Sequence, residues 1–282
     1  MRGILTPLGF AILSALAVWL TWRVFVAWPT GQLIDDAAWQ GSTFGRDVIG
    51  SVVRPIVRVI SEPFLVLAAI AAFIIAALQR RWSIAIAATA MLAGANVTTQ
   101  LLKERLFVRP DFDLTERAVN TLPSGHTTAA AAVAATALLI APPRWRGPVA
   151  LVGAGYAAAT GMGTLAMGWH RPSDVVAAYA VAAAWYFLIE AARGLRWRPL
   201  PRGYGRAGRA GVWLWLGAGA GVLVGTAGLI STFMQVPQIT TGGQTLAYVT
   251  ALAGLAGTAG VAMASMLSMR PHYREEGARS RS

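Results

Sequence analysis

The chain has 282 residues, of which 56% are hydrophobic and only 13% are charged, and its mean hydropathy is +0.54. Soluble domains carry about 25% charged residues, so this composition excludes a water-soluble globular enzyme. The absence of Cys excludes a disulfide scaffold, a thiol nucleophile and a Cys-based zinc site. The formal net charge is +12. Because the basic residues lie mostly between apolar runs, we attribute this charge to membrane topology rather than to nucleic-acid binding.

Apolar segments long enough to form membrane-spanning helices recur along the whole chain, since a span needs about 20 apolar residues. Eight are predicted, at Leu8–Trp28, Pro63–Leu78, Ser83–Leu102, Thr127–Ala141, Pro148–Met167, Val175–Ala192, Gly211–Val236 and Leu246–Met269. The predicted fold class is therefore all-α, a polytopic membrane helix bundle. Residues 1–192 form a six-span core and residues 211–269 add two C-terminal spans. Residues 193–210 read as an Arg/Gly/Pro-rich linker and residues 270–282 as a basic tail.

The distribution of basic residues between alternate loops predicts the orientation. Fifteen lie in the loop set that includes both termini and the linker, whereas eight lie in the opposite set. Positively charged loops are retained in the cytoplasm. Both termini, the linker and the tail are therefore predicted to be cytoplasmic, in a multi-pass protein of the cell (plasma) membrane. The loops after spans one, three, five and seven then face outside.

The first outer loop is amphipathic. Apolar residues recur at helical spacing between Val48 and Ile60 and are interleaved with charged residues. This pattern predicts a helix lying on the membrane surface, bent near Pro55. We favour an interfacial anchor as its role, and a lip for lipid entry is the alternative.

The second outer loop places two cations and a helix start close together. It reads KERLFVRP from Lys103 and PSGH from Pro123. Lys103 and Arg109 can hold a phosphate, Arg through a fork of donors and Lys as a point charge. Ser124 and Gly125 begin the fourth span, where unpaired N–H groups and the helix dipole favour an anion. The alternatives are that the cations mark an interface and that Ser124 is only an N-cap.

Two of the three histidines lie in outer loops. His126 ends the PSGH segment, and His170 lies in the next outer loop, which reads GWHRPSD from Gly168. His126 can give or take a proton. Asp174, four residues after His170, can accept a hydrogen bond from one ring nitrogen and leave the other free as a nucleophile. Asp174 can also merely complement a helix dipole. The coincidence of the single Lys and both histidines on one predicted face favours a functional site.

This ordered set resembles the motifs of the type 2 phosphatidic acid phosphatase (PAP2) superfamily. The family pattern is Lys, a short gap and Arg-Pro; then Pro-Ser-Gly-His; then Ser-Arg, five residues, His, three residues and Asp. The segment from Pro123 matches fully, and His170 and Asp174 match at the family's spacing. The resemblance covers spans one to six and implies that residues 1–192 form a PAP2-like core.

The chain departs from the family pattern in two places. The gap between Lys103 and Arg109 is one residue shorter, which rotates Lys103 by about 100° on a regular helix. The family's second phosphate-binding Arg falls on Thr164. Arg171 can supply the missing charge from another direction, and Thr164 can donate one hydrogen bond.

The resemblance implies an integral membrane lipid phosphatase with an extracytoplasmic active site. It would hydrolyse a polyprenyl (pyro)phosphate of cell-wall lipid metabolism or a phospholipid phosphate. His170 would be the nucleophile that forms a phosphohistidine, Asp174 would orient it, and His126 would be the general acid and base. The resemblance implies phosphate binding by Lys103, Arg109, Ser124 and Gly125, with Arg171 and Thr164 as the candidates that replace the missing Arg. No metal and no other cofactor is implied.

Two other functions remain open on the same residues: a phosphotransferase on a lipid phosphate, and a non-catalytic lipid-phosphate binder, transport or assembly partner. The predicted partners are the lipid phosphate substrate and membrane lipids, with no nucleic acid. Gly217, Gly221 and Gly225 form a stripe at four-residue spacing on the seventh span. Packing of this stripe against span eight is the favoured interpretation, and a homodimer seam is the alternative.

Overall fold

The computed structural model describes residues 2–58, 82–115, 119–196, 199–204, 208–269 and 271–273, with five further helical positions at 67, 70, 71, 74 and 78. The helices in these residues are α1 (Arg2–Phe25), α2 (Pro29–Arg58), α3 (Trp82–Leu101), α4 (Gly125–Ile140), α5 (Arg146–Ala166), α6 (Pro172–Arg196), α7 (Gly208–Met234) and α8 (Thr241–Ser268). A π-helical turn, Leu102–Leu106, follows α3, and a 3-10 turn, Pro143–Trp145, precedes α5. Two short strands, β1 (Pro199–Tyr204) and β2 (Pro271–Tyr273), pair antiparallel.

The all-helical membrane bundle predicted from the sequence is confirmed. Within the described ranges, six helical segments are long and apolar enough to cross a membrane: Ile4–Phe25, Trp82–Leu106, Pro143–Ala166, Pro172–Leu195, Gly208–Met234 and Thr241–Ser268. The shorter apolar helix α4 corresponds to the predicted fourth span. The predicted second span, Pro63–Leu78, lies outside the described residues apart from the five helical positions. The chain is thus a multi-pass membrane protein.

The linker and the tail lie together at one end of the bundle. Strand β1 belongs to the linker, strand β2 belongs to the tail, and the two are hydrogen-bonded. The rest of the predicted tail, beyond Tyr273, lies outside the described residues. The direction of the bundle in the membrane stays a prediction.

Helix α2 begins much earlier than the predicted surface helix. The amphipathic pattern between Val48 and Ile60 falls mostly on the C-terminal part of α2, whose side chains lie outside the described residues. The N-terminal part of α2 is buried, including Asp35 and Asp36. A helix cannot bury two neighbouring carboxylates without partners, so α2 must pack against donors elsewhere in the bundle.

Helices α7 and α8 form a hairpin with close backbone contact. A Cβ added to Gly221 would lie 2.6 Å from the Ala253 carbonyl oxygen, and one added to Gly225 would lie 2.6 Å from Gly254 Cα. These two glycines therefore let α7 approach α8, as the packing interpretation of the stripe expects. Gly217 faces open space. A homodimer through the stripe stays a prediction.

Helix α8 also packs onto the core. A Cβ added to Gly41 of α2 would lie 2.2 Å from the Gln244 carbonyl oxygen. The Gln244 side chain donates a hydrogen bond to Gln40 Oε1, and Tyr186 of α6 donates to the Met266 carbonyl at 3.2 Å. The C-terminal hairpin is thus packed against both α2 and α6.

Candidate functional site

The starts of α4 and α6 meet at one end of the bundle. The Ser124 amide donates to the Asp174 carbonyl at 2.9 Å. Thr121 Oγ1, just before α4, donates to Asp174 Oδ2 at 2.6 Å. The two histidine-containing motifs, whose His126 and His170 lie 44 positions apart in the chain, therefore form one cluster.

His170, just before α6, and Asp174, on its first turn, are held as a pair. His170 Nδ1 and Asp174 Oδ2 lie 3.0 Å apart, and both residues are buried. The same carboxylate oxygen accepts from the Arg171 amide at 3.0 Å. With Thr121 included, Asp174 Oδ2 has three donors around it, so its charge is compensated and its position is fixed. His170 Nε2 has no partner within the described part of the chain.

A tight turn between α5 and α6 presents His170. Gly168 has a φ of +68°, in the left-handed region that favours glycine. The Thr164 carbonyl accepts from the amides of Trp169 and His170 at 2.9 and 3.3 Å. Trp39 Nε1 of α2 donates to the Gly168 carbonyl at 2.9 Å. The backbone of the turn is therefore held from α5 and from α2.

Thr164, at the position of the missing motif Arg, is fully buried. Its hydroxyl donates to the Gly161 carbonyl of the same helix at 2.8 Å. A hydroxyl carries one hydrogen. A hydrogen bond from Thr164 to a phosphate therefore requires that this bond break first.

Lys103 lies on the π-helical turn. The rotation of about 100° predicted for a regular α-helix therefore does not apply to its side chain. Its side chain is partly buried and lies within electrostatic range of Asp174 and His126. Asn120 Nδ2 donates toward the carbonyls of Lys103 and Phe107, at 3.2 and 3.0 Å. π-turns often occur at functional sites, and here Asn120 holds the turn against the loop that precedes α4.

Arg109 is buried and incompletely hydrogen-bonded. Its Nη2 donates weakly to Thr115 Oγ1 at 3.4 Å, and its buried Nε has no described partner. Burial lowers the pKa of the Arg109 guanidinium, and the neighbouring charge of Arg171 lowers it further. The buried Nε is an unsatisfied donor that the oxygen of an anion would satisfy.

Two residues of the first two helices hold the backbone around Arg109. Trp22 Nε1 of α1 donates to the Val108 carbonyl at 3.0 Å. Gln32 Nε2 of α2 donates to the Pro110 carbonyl at 2.9 Å. Arg109 is therefore positioned by α1 and α2 as well as by α3.

The start of α4 provides a helix N-terminus beside the cations. Ser124 is its N-cap, and Ser124 Oγ accepts from the Thr127 amide at 3.3 Å. Beyond the Cα of Gly125 there is open space, whereas the His126 ring lies 5.5 Å from the Trp169 ring. His126 is also within electrostatic range of His170. The start of α4 thus combines free helix amides with open space at Gly125, and His126 follows directly in the chain.

Arg171 is paired with a carboxylate of α2. Its Nε and Nη2 lie 3.3 and 3.0 Å from Asp36 Oδ1, both residues are almost fully buried, and the guanidinium lies 5.7 Å from the centre of the Trp39 ring. The sequence interpretation placed Arg171 on the phosphate. The structure directs two of its nitrogens to Asp36, while its charge remains close to Arg109.

Asp35, the neighbour of Asp36, is hydrogen-bonded to Ser173, which immediately precedes Asp174. The Ser173 amide donates to Asp35 Oδ1 at 3.0 Å, and the Ser173 hydroxyl donates to Oδ2. Burial, followed by the charge of Asp174, raises the pKa of Asp35 to about 7. Sequence reasoning missed both carboxylates of α2. The available signal was the polar residues at helical spacing just after the first span: Gln32, Asp35, Asp36, Trp39 and Gln40.

The described residues contain no group of three or more His, Asp or Glu side chains arranged to hold a metal ion.

Residues 83–198 match a family model described as the PAP2 superfamily. Neither the search of curated proteins nor that of solved structures returned a match.

Proposed function

We propose, from the premise that residues 83–198 make this chain a member of the PAP2 superfamily, that it hydrolyses a lipid phosphate through a phosphohistidine. The observation that carries this proposal is the buried His170–Asp174 pair, which lies beside two cations and a helix N-terminus at one end of a membrane bundle. An anion-favouring site with an oriented nucleophile fits phosphoryl transfer, because that chemistry depends on positioning and charge stabilisation.

Phosphate binding is assigned to two cations and to the backbone amides at the start of α4. Lys103 and Arg109 supply positive charge, and the amides of Gly125 and His126 supply donors at the start of α4. The buried, unpartnered Nε of Arg109 supports this assignment, since a phosphoryl oxygen would satisfy it. Ser124 has its Oγ lone pair engaged by the Thr127 amide and can still donate its hydroxyl hydrogen.

The reaction then takes two steps. His170 Nε2 attacks phosphorus, a P–N bond forms, and the P–O bond to the lipid breaks while His126 gives a proton to the leaving oxygen. Water next attacks the phosphohistidine, the P–N bond breaks, and His126 takes the proton of the water. Asp174 stabilises the positive charge that His170 acquires. Thr164 takes no direct part, because its hydroxyl hydrogen is bonded to Gly161.

The proposed substrate is a lipid phosphate or pyrophosphate in the extracytoplasmic leaflet. The positive-inside distribution supports this side, because it places the loops that carry Lys103 and His170 outside. A polyprenyl pyrophosphate released during cell-wall assembly is the substrate class that suits an outward site. Phosphatidic acid and phosphatidylglycerol phosphate are the other members of the panel to be tested.

Phosphate release by the purified protein in detergent, with EDTA present, tests this function. We expect release from at least one lipid of the panel and none from a His170→Ala variant. Samples quenched with alkaline SDS, in which the P–N bond survives, should contain a phosphohistidine that maps to residue 170. A trapped phosphohistidine without release into water would indicate a phosphotransferase. Absence of both from a folded protein would contradict enzymatic function and favour a lipid-phosphate binder.

A further inference from the structure

A crevice separates the core from the C-terminal hairpin. Its volume is about 200 Å³, and it is bounded by α1, α2 and the start of α6 on one side and by α7 and α8 on the other. Its lining is mostly apolar and includes Phe25, Ile34, Leu229 and Leu255. Dry apolar cavities of about 150 Å³ already bind small apolar ligands, so this crevice has room for part of a hydrocarbon chain.

One end of the crevice adjoins the site. Asp35 and Ser173 both line it and are hydrogen-bonded to each other. Ser173 immediately precedes Asp174, whose carboxylate holds His170. A lipid whose chain lay in the crevice would therefore have its headgroup at the end of the bundle that carries His170.

The length of the crevice is close to the thickness of the hydrocarbon layer of one leaflet. Its lining on α8 extends from Ala247 to Thr258, which is about 17 Å at ~1.5 Å per residue. Half of a hydrocarbon core of ~30 Å is about 15 Å. The crevice is thus long enough to follow part of a hydrocarbon chain through one leaflet.

We propose that this crevice binds the hydrocarbon chain of the lipid phosphate substrate. The proposal deepens the proposed function and rests on it for the identity of the headgroup. It gives α7 and α8, which lie outside the residues matched to the family, a role in substrate binding. The chain is the occupant because the crevice is apolar, lies among membrane-spanning helices and is lined at one end by Asp35 and by Ser173, the neighbour of Asp174.

The proposal is tested by steady-state kinetics of variants in which a larger side chain fills the crevice from α7 or from α8. Ala251→Phe on α8 and Thr226→Phe on α7 introduce a ring into the lining. Ala256→Phe and Ala227→Phe are matched controls at exposed positions of the same helices outside the lining. The substrates are one lipid phosphate with long chains and the same headgroup with eight-carbon chains.

We expect each lining variant to lower kcat/KM about tenfold for the long-chain substrate, mainly through KM; a tenfold change corresponds to about 1.4 kcal/mol. The eight-carbon substrate and both control variants should keep their wild-type values. An equal loss for both chain lengths, or no loss for either, would overturn the proposal.

Photocrosslinking separates this proposal from the phosphatase activity. A long-chain lipid phosphate with a diazirine near the chain end is bound to the His170→Ala variant, which cannot consume it. We expect adducts on peptides of α7 and α8, lost when Ala251→Phe is added and retained with Ala256→Phe. Adducts of this kind without phosphate release would uphold the crevice and reject the phosphatase. Equal labelling by a lipid of the same chain without phosphate would overturn the proposal.

Discussion

At the residue scale, the orientation of the proposed nucleophile depends on a threonine outside the recognised motifs. Thr121 donates to the carboxylate oxygen that holds His170, at 2.6 Å. Hydrogen bonds to charged groups contribute about 1.5–3 kcal/mol. We expect Thr121→Val to lower kcat at least about tenfold with little change in KM, because Thr121 does not contact the proposed phosphate position. Thr121→Ser, which keeps the donor, should restore most of kcat. Steady-state kinetics on both variants measure this, and full activity of Thr121→Val would contradict it.

The buried pair of Asp36 and Arg171 allows a second prediction. Removing one partner of a buried ion pair typically destabilises a protein by about 3–5 kcal/mol, because the other charge remains buried. We therefore expect Asp36→Asn to lower the thermal unfolding midpoint strongly. The double variant Asp36→Asn with Arg171→Met should recover much of that loss, since no uncompensated charge remains.

Kinetics of the double variant then show whether Arg171 acts on the phosphate. If the charge of Arg171 replaces the missing motif Arg, the stable double variant loses kcat/KM. If Arg171 only links α6 to α2, kcat/KM stays near the wild-type value. A double variant that is less stable than Asp36→Asn alone would contradict the ion-pair argument itself.

The raised pKa of Asp35 predicts that the stability of the folded protein depends on pH. Burial and the charge of Asp174 raise the pKa of this carboxyl from 3.8 to about 7. Between about pH 4 and pH 7 the folded protein keeps a proton that the unfolded chain loses. The stability contributed by Asp35 is therefore present below this window, falls as the pH rises through it and stays lost above it.

Replacement of Asp35 by Asn removes that dependence, because the side chain is neutral at every pH. We expect the unfolding midpoint of the wild type to fall more than that of Asp35→Asn between about pH 5 and about pH 8. Thermal unfolding in one detergent at both pH values measures the difference. Parallel pH profiles for the two proteins would show that Asp35 titrates normally.

At the scale of elements, the sequence predicted the spans well and helix α2 poorly. The predicted Ser83–Leu102 corresponds to α3 at Trp82–Leu101, because length and hydropathy alone define a membrane span. The motif of His170 and Asp174 could also be recognised from the sequence, since the two residues lie only four positions apart at the start of α6. The Arg171–Asp36 contact joins positions 135 residues apart. No local spacing encodes such a contact, so the sequence predicts only the surface helix between Val48 and Ile60 and leaves the buried N-terminal part of α2 unassigned.

The glycine stripe of α7 gives a prediction at the same scale. Gly225 contacts the α8 backbone, whereas Gly217 faces open space. We expect Gly225→Ala to destabilise the protein, because its Cβ would overlap α8. Gly217→Ala should be neutral or slightly stabilising, since Ala is favoured over Gly in a helix by about 1 kcal/mol. Thermal unfolding of both variants measures this, and equal effects would contradict the packing. Chemical crosslinking tests the alternative, a homodimer through the stripe, which predicts crosslinked dimers in the wild type and their loss in a Gly217→Leu variant.

At the scale of the whole molecule, α2 lies between the C-terminal hairpin and the turn between α5 and α6 that carries His170, the proposed catalytic turn. On one side it contacts α8 at Gly41, and on the other its Asp36 and Trp39 hold Arg171 and Gly168. The position of His170 therefore depends on helices on both sides of the matched family segment. A change at the α2–α8 contact should reach the site without touching any proposed catalytic residue.

Gly41→Ala tests this dependence. Its Cβ would lie 2.2 Å from the Gln244 carbonyl oxygen, so α2 must move away from α8. Misplacement of a supporting element by about 1 Å can cost about a hundredfold in rate, and we expect kcat to fall at least about tenfold. Gly9→Ala on α1, where a Cβ meets nothing within 4 Å, is the matched control. Wild-type kcat in a folded Gly41→Ala protein would show that the catalytic turn is held by the core helices alone, independently of the hairpin.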